Sequence, residues 1–372
     1  SIACQIILPL GISFFVFEFI HYLVEVHKGG KPVRSFWEFA LFASFFPTQI
    51  AGPIKRYQDF IPQLREQHRL TMKDVDEGIE LILFGLGKKV LLADNMAPIV
   101  QAAYAHPQLL SAVDLWAAAC VFSFQLYFDF SGYTDIARGS ARLLGFKVPL
   151  NFDLPYMAGS IAEFWRRWHI SLSSWLRDYL FVPLGGSRNG AAATCRNLLI
   201  TMALGGLWHG AAPHYFVWGV YHGVLLIAHR LWSQSLEQVM WFQSLAKTRL
   251  YRALAIASTF ALVTLGLVIF RAPDMQAASY MVQKMLLLDT AAAGLQPWQL
   301  SLPTTNSAPI FLYVPLLLTM LLAGQLLGQK YRTTYGIMPF AGRPKALYLA
   351  ALAAILLIWS PDVTPAFIYF QF

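Results

Sequence analysis

The sequence predicts an all-α, polytopic membrane protein, and three observations predict it. Of 372 residues, 57% are hydrophobic and 13% charged, and the mean hydropathy is +0.50; soluble domains carry about 25% charged residues. Residues 197–229, 253–270, 290–329 and 346–361 contain no Asp, Glu, Lys or Arg, and a bilayer-crossing helix needs about 20 mostly apolar residues. No polar stretch is long enough for a soluble domain. The longest is a basic-rich loop over residues 55–80 with Lys55, Arg56, Arg65, Arg69 and Lys73.

Taken in order, membrane helices are expected near residues 2–24, 36–52, 78–103, 111–130, 197–212, 213–232, 251–270, 308–328 and 345–361. A Pro-containing loop is expected over 295–309. The chain opens on Ser1 and an apolar run over 1–17, without an initiator Met or a signal peptide. One domain over 1–372, lacking its N-terminal helices, is therefore expected.

The formal charge is +8 and the pI about 9.3. In a chain this apolar, Lys and Arg in short loops fix topology and meet the anionic headgroups of membrane lipid. No nucleic-acid motif is present, so no nucleic-acid partner is expected. Cys4, Cys120 and Cys195 lie in or beside apolar segments without CxxC spacing, and read as small buried hydrophobes.

Two segments are unlike simple spans. FFPTQIAGPIKRY over 45–57 places Pro47, Gly52 and Pro53 at apparent membrane depth, where such breaks persist only when buried in protein or lining a wet cavity. IAEFWRRWHISLSSWLRDYLFVPLGG over 161–186 reads as one amphipathic helix. Phe164, Trp168, Leu172, Trp175 and Tyr179 form an apolar stripe, with Arg166, His169, Ser173 and Arg177 beside it. That pattern predicts an interfacial or re-entrant helix ended by Pro183 and Gly185–Gly186.

Ionisable groups inside apolar spans are costly, so each is a functional candidate. His209 lies in LGGLWHG, where Gly205, Gly206 and Gly210 permit close helix approach; a neutral core histidine is the competing reading. His169 competes with an ordinary interfacial histidine. Asp129 and Asp135 of FDFSGYTDIARG compete with a structural pairing to Arg138 or Arg142. His209, His214, His222 and His229 are spaced by 5, 8 and 7 residues with no acid between them. Helix-borne metal ligands come at i, i+3 or i, i+4, so no metal is expected.

These residues resemble the membrane-bound O-acyltransferase superfamily, and within it the branch of bacterial alginate O-acetylation membrane proteins. The resemblance runs through LPLGISFFVFEFIHYLVEV, FFPTQIAGPIKRYQDF, YFDFSGYTDIARGSARLLGF, the NFDLPYMAGS…VPLGGSRNG stretch, GGLWHGAAPHYFVWGVYHG and the terminal FIYFQF. A sister branch that moves D-alanine onto teichoic acid shares WHISLS and WHG. The resemblance implies a polytopic helix bundle with re-entrant helices around a buried tunnel. It places the family's two histidines on His209 and His169, expected to be catalytic, and the family's Asn on Asn151; substrate contacts are expected at Asn151, Trp165, Ser171 and Trp208, and donor-phosphate contacts at Arg166, Arg167 and Arg177. Pro213–His214 departs from the family pattern, and Pro213 is expected to shorten or kink its helix.

The implied reaction is acyl transfer from a cytosolic thioester, acetyl-CoA as donor substrate with no bound cofactor, to a hydroxyl reached from the outer face of a bacterial inner membrane. The implied partners are a polysaccharide acceptor and a periplasmic or membrane-anchored O-acetylation protein. Histidine, with an unperturbed pKa of about 6.5, suits a general base there. A transporter or flippase would explain the helices and buried Asp residues equally well. It predicts neither WHG beside WHISLS nor the lack of internal repeats.

Overall fold

Ser35, Thr71, Ser111, Ser160, Thr248 and Asp274 each cap the free N–H groups at the start of a helix. The computed structural model describes residues 11–66, 70–236, 239–289, 342–359 and 367; the expected 308–328 span, the 295–309 loop, Cys4 and most of FIYFQF lie outside them. The first half contains α1 (Ile12–His27), α2 (Phe36–Ala43), α3 (Phe46–Gln49), α4 (Tyr57–Arg65), α5 (Met72–Leu86), α6 (Asp94–Ala105) and α7 (Ala112–Leu143). The second half contains α8 (Ile161–Arg167), α9 (Ile170–Leu176), α10 (Gly190–His209), α11 (Pro213–Leu236), α12 (Met240–Ala246), α13 (Arg249–Arg271), α14 (Met275–Leu286) and α15 (Arg343–Trp359). Thr71 with Asp74 and Ser111 with Asp114 form capping boxes on α5 and α7.

Among the described residues, α7 and α13 are the two helices long and apolar enough to cross a membrane by length and composition. The expected 111–130 span is thus longer than its apolar run, since α7 continues through FDFSGYTDIARG. The charges there are met by a π-helical turn, Gly87–Ala93, between α5 and α6. Lys88 reaches Asp135 at 2.6 Å, and Lys89 reaches Asp129 at 2.8 Å. Arg138 also bonds Asp135, at 3.1 Å, whereas Arg142 goes to Glu77.

Two glycine contacts set how closely helices pack. A Cβ on Gly132 would meet the Gly85 carbonyl, and one on Gly139 the Gly78 carbonyl, so α5 and α7 pack backbone to backbone. Gly206 and Gly219 do the same for α10 and α11. Helix α13 packs against α7 and α11, which closes the core around the C-terminal end of α10.

Three expectations need correction. The expected helix over 36–52 is two short helices with a break at Ser44–Phe45. The basic loop over 55–80 is largely helical, and Lys55 is buried at 2% exposure. Pro213 neither kinks nor shortens a helix; it is the first residue of α11, where a missing N–H costs nothing. The expected break over 45–57 does occur, and residues 51–55 are buried in protein.

Candidate active site

The amphipathic segment is not one helix. It breaks at Trp168–His169, between α8 and α9, and His169 takes φ 44° and ψ 55°. A non-glycine residue in that left-handed region costs on the order of 1–3 kcal/mol and persists only where its surroundings over-determine it. Here they do. The Ile170 N–H donates to the Asn151 carbonyl at 3.0 Å. The Ser171 N–H and hydroxyl donate to Asn151 Oδ1 at 3.2 and 2.6 Å. Ser171 Oγ accepts from the Ile54 N–H at 3.0 Å, tying the loop to the buried 51–55 segment. The Asp153 N–H donates to the Arg167 carbonyl at 3.0 Å.

The break turns His169 inward. Its 3.6-residue register had placed it on the polar stripe, yet it is 1% exposed, with the Phe130 ring edge-on at 4.8 Å. His209 arrives from the other half of the chain as the last residue of α10, where Gly210 ends the helix in extended backbone at φ 166°. The His209 ring meets Trp218 at 5.2 Å, Phe270 at 5.1 Å and Trp208 at 4.7 Å. Trp208 also lies 6.4 Å from His169.

Both imidazoles line one cavity of about 20 Å³, walled also by Leu126, Trp165, Trp168, Leu172, Trp218, Leu267 and Phe270. One water needs roughly 10–15 Å³ of such space. The cavity therefore admits a group of one or two heavy atoms beside the imidazoles. The indole N–H groups of Trp165, Trp208 and Trp218 are buried and have no acceptor among the described residues. An unmet buried donor costs about 1–3 kcal/mol, and three of them surround this pair of histidines.

The other sequence-predicted residues divide into three groups. Trp165 lines the cavity, and Trp208 packs on both imidazoles. Asn151 and Ser171 are buried and hold the His169 backbone without lining the cavity. The arginines lie outside it. Arg166 is exposed, and Arg167 pairs with Glu163 at 2.8 Å and donates to the Asp153 carbonyl at 3.0 Å. Arg177 bonds Asp178 at 2.8 Å. Burial works to raise the Asp178 carboxyl, but hydrogen bonds from Arg177 and Arg56 outweigh it and hold the group below the usual carboxylate range.

A second cavity, about 90 Å³ and polar, lies across an aromatic wall. Lys88, Tyr127, Ser131, Asp135, Arg138 and Phe152 are among its lining residues. Phe152 packs on Trp168 at 5.0 Å, and Tyr127 on Trp168 at 6.4 Å. Trp168 thus separates this polar space from the histidine cavity.

Sequence reasoning missed Trp218, Phe270 and the buried pair Glu18–Lys55. An aromatic residue on an apolar helix reads as core, so the first two carried no signal. The signal for the third was present, since Glu18 and His21 interrupt an apolar run in the first expected span. Lys55 Nζ donates to both Glu18 oxygens, at 2.7 and 2.8 Å.

The family model for the membrane-bound O-acyltransferase family matches residues 6–266. A probable alginate O-acetylase of Azotobacter vinelandii is 39% identical over 351 residues, covering 93% of this chain and 65% of that protein. A peptidoglycan O-acetyltransferase of Helicobacter pylori is 36% identical, covering 77% of this chain and 58% of that protein. A teichoic acid D-alanyltransferase of Bacillus subtilis is 33% identical, covering 70% of this chain and 68% of that protein. Against the alginate O-acetylases it matches, the chain spans between 54% and 65% of their length.

Proposed function

We propose a function from one premise: the chain belongs to the membrane-bound O-acyltransferase family. It transfers an acyl group, acetyl, from a cytosolic thioester to a hydroxyl, for O-acetylation of an exported polysaccharide such as alginate. It works as a multi-pass protein of the bacterial inner membrane, a helix bundle around a tunnel. Acetyl-CoA is the donor substrate. The acceptor polysaccharide is served through a periplasmic or membrane-anchored partner protein.

The observation that carries this reading is the convergence of His209 and His169, forty residues apart in sequence, on one small cavity. A structural histidine needs no second imidazole and no space beside it. In the reaction, His209 accepts the proton of the attacking hydroxyl as its oxygen bonds the thioester carbon. The carbon–sulfur bond then breaks, and the thiolate takes that proton. General-base help of this kind contributes about 10²–10⁴-fold. His169, held in its left-handed turn by Asn151 and Ser171, positions the reacting groups. Arg166 and Arg177, exposed on the same segment, meet the donor's phosphates.

Mass spectrometry of the exported polymer, with and without the intact gene, tests the reading. Loss of O-acetyl groups on deletion supports it. Loss of D-alanyl esters would select the teichoic-acid chemistry of the Bacillus relative, and an unchanged polymer would reject acyl transfer to an exported polymer.

A further inference from the structure

We propose that Trp218 and Trp165 are catalytic residues whose indole N–H groups bind the carbonyl oxygen of the acyl group being transferred. The inference rests on the acyl-transfer reading and adds to it the electrophilic half of the site. Both residues line the 20 Å³ cavity with His209 and His169, and both buried N–H groups lack an acceptor among the described residues. Trp218 is 6% exposed. Tryptophan is a donor only, and a buried indole ordinarily finds a partner.

The other indoles show that this is a local choice. Trp175 donates to the Phe17 carbonyl at 3.0 Å and Trp116 to the Met285 carbonyl at 3.3 Å. The unmet N–H groups gather where the cavity is. Trp208 is the third, but its ring is not part of the cavity wall.

The chemistry requires such donors. When the hydroxyl oxygen bonds the thioester carbon, the carbonyl π pair moves onto oxygen, and His209 holds the proton. The oxyanion needs hydrogen-bond donors already in place in a water-poor site. The pair returns as the carbon–sulfur bond breaks, and the thiolate leaves with the proton from His209. A space of one or two heavy atoms, walled by Trp168, Leu172, Leu267 and Phe270, fits a carbonyl oxygen and a methyl group and leaves no room for a long acyl chain.

The test replaces Trp218 with Phe, and separately with 3-benzothienylalanine, in which sulfur stands where the N–H was and the shape is kept. Trp165 is treated in the same way. The full-length protein is expressed in the deletion strain, and polymer O-acetyl content is read at matched membrane abundance. A wild-type expression ladder converts content into relative rate. Each Trp218 variant is expected to lower the rate about 10²-fold, with a melting temperature unchanged or raised, because an unmet donor has been removed. Trp116→Phe should behave oppositely, with a lower melting temperature and an unchanged rate per molecule. If Trp218→Phe does not insert, the benzothienylalanine variant decides. A full rate in that variant overturns the proposal, while a wild type that adds no acyl group overturns both it and the reading beneath it.

Discussion

Two buried polar regions of this molecule treat their polar atoms in opposite ways. In the first, α1 and the 51–57 segment are latched by Glu18, Lys55 and His21. Lys55 bonds both Glu18 oxygens and lies over the Phe42 and Phe60 rings, at 4.9 and 5.8 Å. His21 Nε2 accepts from the Tyr57 N–H at 3.1 Å, its Nδ1 lies 3.3 Å from the Phe17 carbonyl, and Trp175 donates to that carbonyl. In the second, joined to the first through the Phe17 and Trp208 rings 5.1 Å apart, His169 and His209 face a cavity beside indole N–H groups that no atom of the described residues meets. Burial is common to both regions. What separates them is whether the described residues themselves complete the hydrogen bonds.

Substitutions at defined positions test that contrast. The largest effect is expected at the latch. Lys55→Met or Glu18→Leu alone leaves a buried charge without its counterion, which costs about 3–5 kcal/mol. Membrane abundance and melting temperature should fall together, and the double variant should recover most of the loss. Single variants as stable as wild type would show that the latch is not structural. Asn151→Ala comes next. It leaves the Ser171 N–H and hydroxyl without their shared acceptor, for about 2–4 kcal/mol, and frees the His169 backbone. Activity per folded molecule should fall as well, which separates this site from the latch. His21→Leu strips the Tyr57 N–H of its acceptor, worth about 1–3 kcal/mol. Once abundance is matched, acylation by this variant should equal wild type; a specific catalytic defect there would erase the distinction between the two regions. The smallest effect is expected for His222→Gln. His222 packs behind the cavity wall, 5.1 Å from Trp165 and 5.0 Å from Trp218, so acylation should drop less than about tenfold.

The sequence made the candidate site legible where a residue was costly for its surroundings. An imidazole after Gly205–Gly206 in a charge-free stretch, and a second in WHISLS, stood out for that reason. The break at Trp168–His169 was not legible, because apolar spacing continues through it from Phe164 to Trp175. What stops the helix is Asn151, a residue distant in sequence whose carbonyl and amide oxygens capture the next two backbone N–H groups. Lys55 read as a solvent-facing loop cation because its counterion, Glu18, lies far off in sequence, in α1. The length of α7 was hidden for the same reason, since Asp129 and Asp135 are affordable only beside Lys88 and Lys89 of the π-helical turn. Local pattern showed which side chains were unusual; the partners that make them tolerable come from tertiary structure.

If the second region, unlike the first, is kept open for chemistry, His209→Gln separates the two. Glutamine is polar and close in size, so it should leave the helix end of α10 intact, but it cannot accept a proton near neutral pH. Polymer O-acyl content and membrane abundance are measured together for this variant. Normal abundance with acylation reduced about 10²–10⁴-fold is the predicted result. Near-normal acylation by a normally abundant His209→Gln protein would remove His209 from the reaction.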